Sequence, residues 1–238
     1  MRTIGIIGAL EEEIIFLKEN IDELRENRHA SMNFYIGLIN GCNVVVASSG
    51  IGKVNAAICT QILNDHYCVG IVINVGIAGS LNSDINIGDI VLSIDAIQHD
   101  IDVSGVGCPL GVIPKMVSSV FIADENLRRY ARSCCNKVCL DLNIHEGRVA
   151  SGDQFISNQR KKQTIYNYFK ADCTDMEGAA VAQTAFLNNV PFLIIKLISD
   201  KADNKANSDY KKYNINASEY FMKIIFELLE CIRKEVKK

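Results

Sequence analysis

The chain predicts an α/β domain built on a largely buried sheet. Short β-branched runs alternate with longer segments of helical period, and three of those runs lead directly into small-residue turns. With 48% of its 238 residues hydrophobic, the chain can bury one substantial core, and no Pro-, Ser- or charge-rich stretch reads as a linker, so one domain over residues 1–238 is expected.

From the N-terminus, Thr3–Ile7 is the first candidate strand, and Glu11–Arg25 behind it is read as a helix. Strand Asn43–Ser48 and helix Lys53–His66 follow, then the apolar strand Val69–Val75 and strand Asp89–Ile94. Helix Asp124–Asn136 precedes strand Gly147–Ser151. Helices Gln159–Phe169 and Glu177–Asn188 lead to strand Pro191–Ile198 and to a last helix, Ser218–Val236. That last helix has the clearest signature. Phe221, Ile224, Ile225, Leu228 and Ile232 form one apolar stripe, Ser218 can cap its start, and Lys237 and Lys238 suit the negative end of the helix dipole.

Composition removes several function classes. A net charge of −3 with interspersed signs offers no basic face for a phosphate backbone, so no nucleic-acid partner is expected. The longest apolar runs, Val69–Val75 and Phe192–Ile198, fall far short of the roughly 20 residues that span a bilayer, and no export signal opens the chain. Neither a membrane partner nor secretion is expected. Nine cysteines without a C-x-x-C pair read as free thiols of a cytoplasmic protein. With four histidines, and only His99-Asp100-Ile101-Asp102 clustered, no metal site is expected.

The glycine-rich turns are Gly5-Ile6-Ile7-Gly8-Ala9, Ser49-Gly50-Ile51-Gly52-Lys53 and Asn74-Val75-Gly76-Ile77-Ala78-Gly79. Such turns let backbone approach a ligand at the edge of a sheet. The second has Asn55 where a dinucleotide fingerprint needs its third glycine, and Gly52-Lys53 lacks the flanks of a P-loop. No nucleotide cofactor is expected.

Three acids stand where strands meet helices or loops. Glu13 is the last of Glu11-Glu12-Glu13, a run that the helix dipole alone would explain. Successive helical side chains point about 100° apart, so one of the three at most can aim into a cleft. Glu177 lies in Asp175-Met176-Glu177-Gly178-Ala179-Ala180, and Asp200 ends Ile198-Ser199-Asp200. Each alone reads more readily as a cap or turn residue than as a catalytic one, and it is their joint placement at strand ends that points to a site.

The segments Gly5-Ile6-Ile7-Gly8-Ala9-Leu10-Glu11-Glu12-Glu13, Ser49-Gly50-Ile51-Gly52-Lys53-Val54-Asn55-Ala56-Ala57, Ser151-Gly152-Asp153-Gln154-Phe155-Ile156, Asp175-Met176-Glu177-Gly178-Ala179-Ala180 and Ser199-Asp200, taken in order, resemble the methylthioadenosine/S-adenosylhomocysteine nucleosidases. The resemblance implies a nucleoside phosphorylase-like fold, a three-layer αβα sandwich with a central mixed sheet, and a homodimer acting on a small nucleoside. It implies that Asp200, helped by Ser199, protonates the purine and that Glu13 activates water. Glu177 would accept the ribose hydroxyls, with Met176 against the sugar, Phe155 stacked on adenine and the Ile156 backbone at the purine edge. Ile51, Val103 and Tyr210 would form the 5′ pocket, with Pro114 a candidate contribution from the other subunit.

Two departures stand out. Ile77 replaces the serine of many members, and Lys196 replaces an arginine, keeping the charge but losing the guanidinium fork that would position water beside Glu13. The segment Gly105–Val112 also lacks aromatics for a bulky 5′ tail. A phosphorylase, a futalosine-type nucleosidase and a nucleoside sensor without turnover are the rival readings. Asn74-Val75-Gly76-Ile77 offers no phosphate ligands, and a sensor would be expected to lose Glu13 or Asp200.

Overall fold

The computed structural model describes residues 2–236, with the side chains of residues 207–216 and 236 outside the description. The strands are β1 (Ile4–Gly8), β2 (Asp22–His29), β3 (Met32–Ile39), β4 (Cys42–Ser48), β5 (Ile71–Ser80), β6 (Ile90–Gln98), β7 (Val120–Ile122), β8 (Ile144–Ser151), β9 (Cys173–Asp175) and β10 (Phe192–Asp200). The helices are α1 (Glu11–Glu19), α2 (Lys53–Tyr67), α3 (Glu125–Val138), α4 (Gln159–Phe169), α5 (Gly178–Leu187) and α6 (Ala206–Val236).

All strands share one mixed sheet, in the order β10-β6-β8-β9-β5-β1-β4-β3-β2, with β7 on β6. Because β10 also pairs with β5, the strands β5, β10, β6, β8 and β9 close on themselves at one end of the sheet. Strands β1, β4, β5 and β10 run parallel, whereas β6, β8 and β9 run the other way. Helices α1, α3 and α6 pack together as one group and α2 with α5 as another. The fold is therefore α/β around a mixed sheet.

Burial on both faces explains the composition of the central strands. Every residue of β1 and β10 is buried, so neither strand alternates and both read as continuous apolar runs. The α6 stripe behaves as read, since Phe221, Ile224, Ile225 and Leu228 are fully buried and Ile232 nearly so, each such side chain contributing about 1.5–3 kcal/mol.

Three readings are corrected. The first helix stops at Glu19 rather than Arg25. Asn20 caps it, its backbone N–H on the carbonyls of Leu17 and Lys18 and its side chain donating to the Phe16 carbonyl at 2.8 Å, and Asp22–His29 is strand β2. The last helix starts at Ala206, so Ser218 lies inside it and its hydroxyl accepts the Phe16 N–H at 3.4 Å instead of capping. Strand β5 runs on through the glycine turn to Ser80, where pairing with β9 and β10 keeps it extended.

Candidate active site

Six segments enclose a cavity of about 450 Å³. The turn from β1 to α1 contributes Ala9, Leu10 and Glu13, and the turn into α2 contributes Ile51. The end of β5 supplies Ile77, Ala78 and Gly79, the loop after β8 supplies Gln154, Phe155 and Ile156, and Thr174–Glu177 and Ser199–Asp200 complete the wall. The cavity sits where the two opposed sets of strands meet, since β9 is antiparallel to β5 with Thr174 opposite Gly79, and Asp200 flanks Gly79 from the β10 side.

The first turn of α1 aims one of its three acids inward. Glu11 and Glu12 are exposed and Glu13 is 2% exposed, as the 100° rotation per residue requires. Glu13 Oε2 accepts the N–H groups of Ala9 at 2.7 Å and Leu10 at 3.0 Å, and Oε1 accepts the N–H of Ile77 at 3.0 Å. Burial raises its pKa, against the nearby Lys196 charge and these three donors. Gly76 makes the approach possible, because a Cβ there would lie 2.9 Å from Glu13 Oε1 and 3.1 Å from Lys196 Nζ.

Beneath the cavity lies a compact charge cluster. Lys196 Nζ is 2.8 Å from Asp175 Oδ2, with both side chains almost wholly buried. The Asp175 carboxylate also accepts the Ser151 hydroxyl and, at 2.8 Å, the Gly178 N–H that opens α5. Glu177 caps α5 from the cavity side and accepts the Gly52 N–H at 2.7 Å. Burial first, and the Asp175 charge second, push the Glu177 carboxyl up to about 7, with Lys196 and the Gly52 N–H opposing. The Lys196 ammonium stays above its ordinary range despite burial, because Asp175, Glu177 and Glu13 surround it.

Asp200 ends β10 at 2% exposure. Its Oδ2 accepts the Ser199 hydroxyl at 2.8 Å and its Oδ1 the Ala202 N–H at 2.7 Å, which fixes the carboxyl plane. Ala202 takes a left-handed φ of 50° to bring that N–H round. Two buried carboxyls lining one cavity, Glu13 from the first turn of α1 and Asp200 from the end of β10, are an arrangement suited to proton transfer in both directions.

The structure thus brings Glu13, Ile51, Ile77, Phe155, Ile156, Met176, Glu177, Ser199 and Asp200 to one cavity. Lys196 lies behind its wall, held by Asp175 rather than hydrogen-bonded to Glu13. Val103 and Pro114 are not among the lining residues of the single chain. Val103 instead precedes a one-turn helix, Ser104–Val106, nucleated by Asp102 Oδ1, which accepts the Ser104 N–H at 3.0 Å and the Ser104 hydroxyl at 2.6 Å. The Tyr210 side chain lies outside the described residues. Sequence reasoning gave no role to Asp175, Ser151 or the Gly52 N–H, although the glycine on either side of Ile51 was the signal that backbone there serves as a ligand.

Known proteins share this architecture. The family model of the phosphorylase superfamily matches residues 3–230. A 5′-methylthioadenosine/S-adenosylhomocysteine nucleosidase of Staphylococcus carnosus is 39% identical over 230 residues, covering 96% of this chain and 100% of the relative. The structure of the Streptococcus pneumoniae enzyme of the same name, with the transition-state inhibitor MT-ImmA, superposes with a TM-score of 0.90 at 32% identity, over 97% of this chain and 99% of that one. The futalosine hydrolase of Helicobacter pylori superposes with a TM-score of 0.90 at 32% identity, over 96% and 97%. The chain belongs to the phosphorylase superfamily and, within it, to the 5′-methylthioadenosine/S-adenosylhomocysteine nucleosidases.

Proposed function

We propose that the protein hydrolyses the N-glycosidic bond of 5′-methylthioadenosine or S-adenosylhomocysteine, releasing adenine and the 5-thioribose product. The observation that carries the reading is the pairing of buried Glu13 and Asp200 in one cavity of a chain so similar to enzymes of that name. Breaking the bond between C1′ and N9 leaves its electron pair on the base and positive charge on the ribose, so the base needs a proton and C1′ needs water. Asp200 gives its proton to adenine N7, oriented by Ser199 and the Ala202 N–H. Glu13, its oxygens fixed by three backbone donors, takes the proton of the water that adds to C1′.

Glu177 accepts the ribose hydroxyls, Met176 packs on the sugar, Phe155 covers the base, and Ile51 and Ile77 give the 5′ end an apolar surround. Phe155 lines the cavity at 45% exposure, an aromatic ring of the kind on which a purine stacks. Lys196 acts from behind, balancing the acids. Among the described lining residues none is Arg or Lys, which disfavours a phosphorylase that must hold phosphate.

The homodimer belongs to the same reading. Ile51 at the cavity, just ahead of α2, and Val54 and Ile58 on α2 are exposed at 52%, 69% and 40%, an apolar strip that a second copy would cover, bringing its Pro114 near. Light scattering checks the mass. A cytoplasmic setting fits the odd number of thiols, and no helix among the described residues is long and apolar enough to cross a membrane.

The test is release of the free purine base from methylthioadenosine in phosphate-free buffer, repeated with added phosphate and with futalosine. Release without phosphate supports the hydrolase; a requirement for phosphate, or turnover of futalosine alone, overturns it in favour of the corresponding relative.

A further inference from the structure

Beside the cavity, three segments that are distant in sequence close into a ring of hydrogen bonds. Lys53, the first residue of α2, donates its ammonium to Asp100 Oδ1 at 2.6 Å and to Gln98 Oε1 at 2.7 Å. Asp100 Oδ2 accepts the backbone N–H of Asp153 at 2.9 Å. Asp153 Oδ1 in turn accepts the backbone N–H of Lys53 at 2.8 Å, which closes the ring. The Lys53 and Asp100 side chains are only 15% and 14% exposed, so the pair is shielded from the screening that weakens surface ion pairs. Burial of Asp100 would raise its pKa, but Lys53 and the Asp153 N–H more than offset this and hold it below the ordinary range.

None of the ring residues lines the cavity, yet the ring joins two stretches of backbone that do form the site. One residue before Lys53, the Gly52 N–H holds Glu177, and Ile51 lines the cavity. One residue after Asp153, Gln154, Phe155 and Ile156 line it from the opposite segment. From below, the His99 ring is pressed against Gly152, where a Cβ would lie 2.5 Å from two of its ring atoms. His99 and Asp100 therefore form a floor on which the 152–156 loop rests, and Lys53 clamps that floor to the start of α2.

We infer that Lys53 and Asp100 are positioning residues that hold the Phe155 loop and the Gly52 donor in register, so that base and ribose are gripped together. This rests on the proposed nucleosidase reading for its kinetic readout and on the geometry alone for its structural one. Charge-assisted bonds of this kind contribute enough that losing one is expected to raise KM for methylthioadenosine by about tenfold or more in Lys53→Met, with kcat falling less than about threefold. Lys53→Arg, which keeps the charge and reaches the same carboxylate, should restore most of the KM.

Asp100→Asn gives the second variant should Lys53→Met fold poorly, and the double variant should lose little beyond either single one because the same ring is broken. Amide hydrogen exchange of the substrate-free proteins reads the clamp directly. Exchange at residues 52 and 152–156 should quicken by at least about tenfold in either single variant, with the β1 and β10 amides unchanged. Unaltered exchange and unaltered KM, or equal damage in Lys53→Arg and Lys53→Met, would overturn the inference. If the unmodified protein releases no adenine, the nucleosidase reading fails while the exchange result still decides the clamp.

Discussion

Lys196 and Asp175 are joined at 2.8 Å inside the protein, the ammonium of β10 against the carboxylate that ends β9. The pair links the two strand directions directly under the cavity. Removing one partner leaves an uncompensated buried charge, so Lys196→Met should destabilise the fold by about 3–5 kcal/mol. Urea unfolding checks this. Lys196→Arg should fold, and its activity measures how tightly the space beside Gly76 limits a larger cation.

Asp200→Asn keeps the size of the side chain and the Ala202 contact but cannot supply a proton. Turnover of methylthioadenosine should fall by about 10²–10⁴, with an unchanged melting temperature. Single-turnover adenine release makes the comparison, and a near-normal rate would remove Asp200 from its role.

Glu13→Gln carries a second cost that its place at the water suggests. Three N–H groups point at the carboxylate, and an amide offers them one oxygen and turns an NH2 toward a donor. Stability should drop by about 1–3 kcal/mol in addition to a large loss of kcat. Thermal denaturation alongside kinetics separates the two.

The pH dependence of stability follows from Glu177. Its carboxyl rises from an ordinary 4.5 to about 7 in the substrate-free fold. The native state therefore keeps a proton that the unfolded chain releases, so stability is full below 4.5 and declines as pH rises through about 7. Glu177→Gln should raise the melting temperature at pH 8 and leave it nearly unchanged near pH 4.5, a difference of about 3 kcal/mol. A gain that does not depend on pH would refute the assignment, and the same variant should raise KM through loss of the ribose acceptor.

The residues around the site were legible because the chemistry leaves its marks at strand ends: glycines where backbone must come close, acids where a helix or turn begins. The central strands were legible as unbroken apolar runs. The hairpins were not. Ala30 and Ser31 join β2 to β3 with φ values of 48° and 64°, a turn that ordinarily advertises itself with glycine, and here neither residue signals it. Asn40 and Gly41 make the matching turn to β4 and carry the expected sequence, yet β3 ahead of them is mostly buried and shows no clean alternation. Lys196 does lie near Glu13, but only the tertiary fold reveals that its ion-pair partner is Asp175. The Lys53 ring was hidden for the same reason, its members lying 47 and 53 residues apart.

Strand β2 ends the sheet, and from Asp22 to Arg28 all of it is exposed, with five charged residues of both signs among its first seven. A row of unpaired backbone groups on such an edge invites another chain to extend the sheet, and the ready remedy in folded proteins is charge that an incoming strand would have to desolvate. The charges of this hairpin arm thus oppose fibril-like growth of the sheet from its β2 edge.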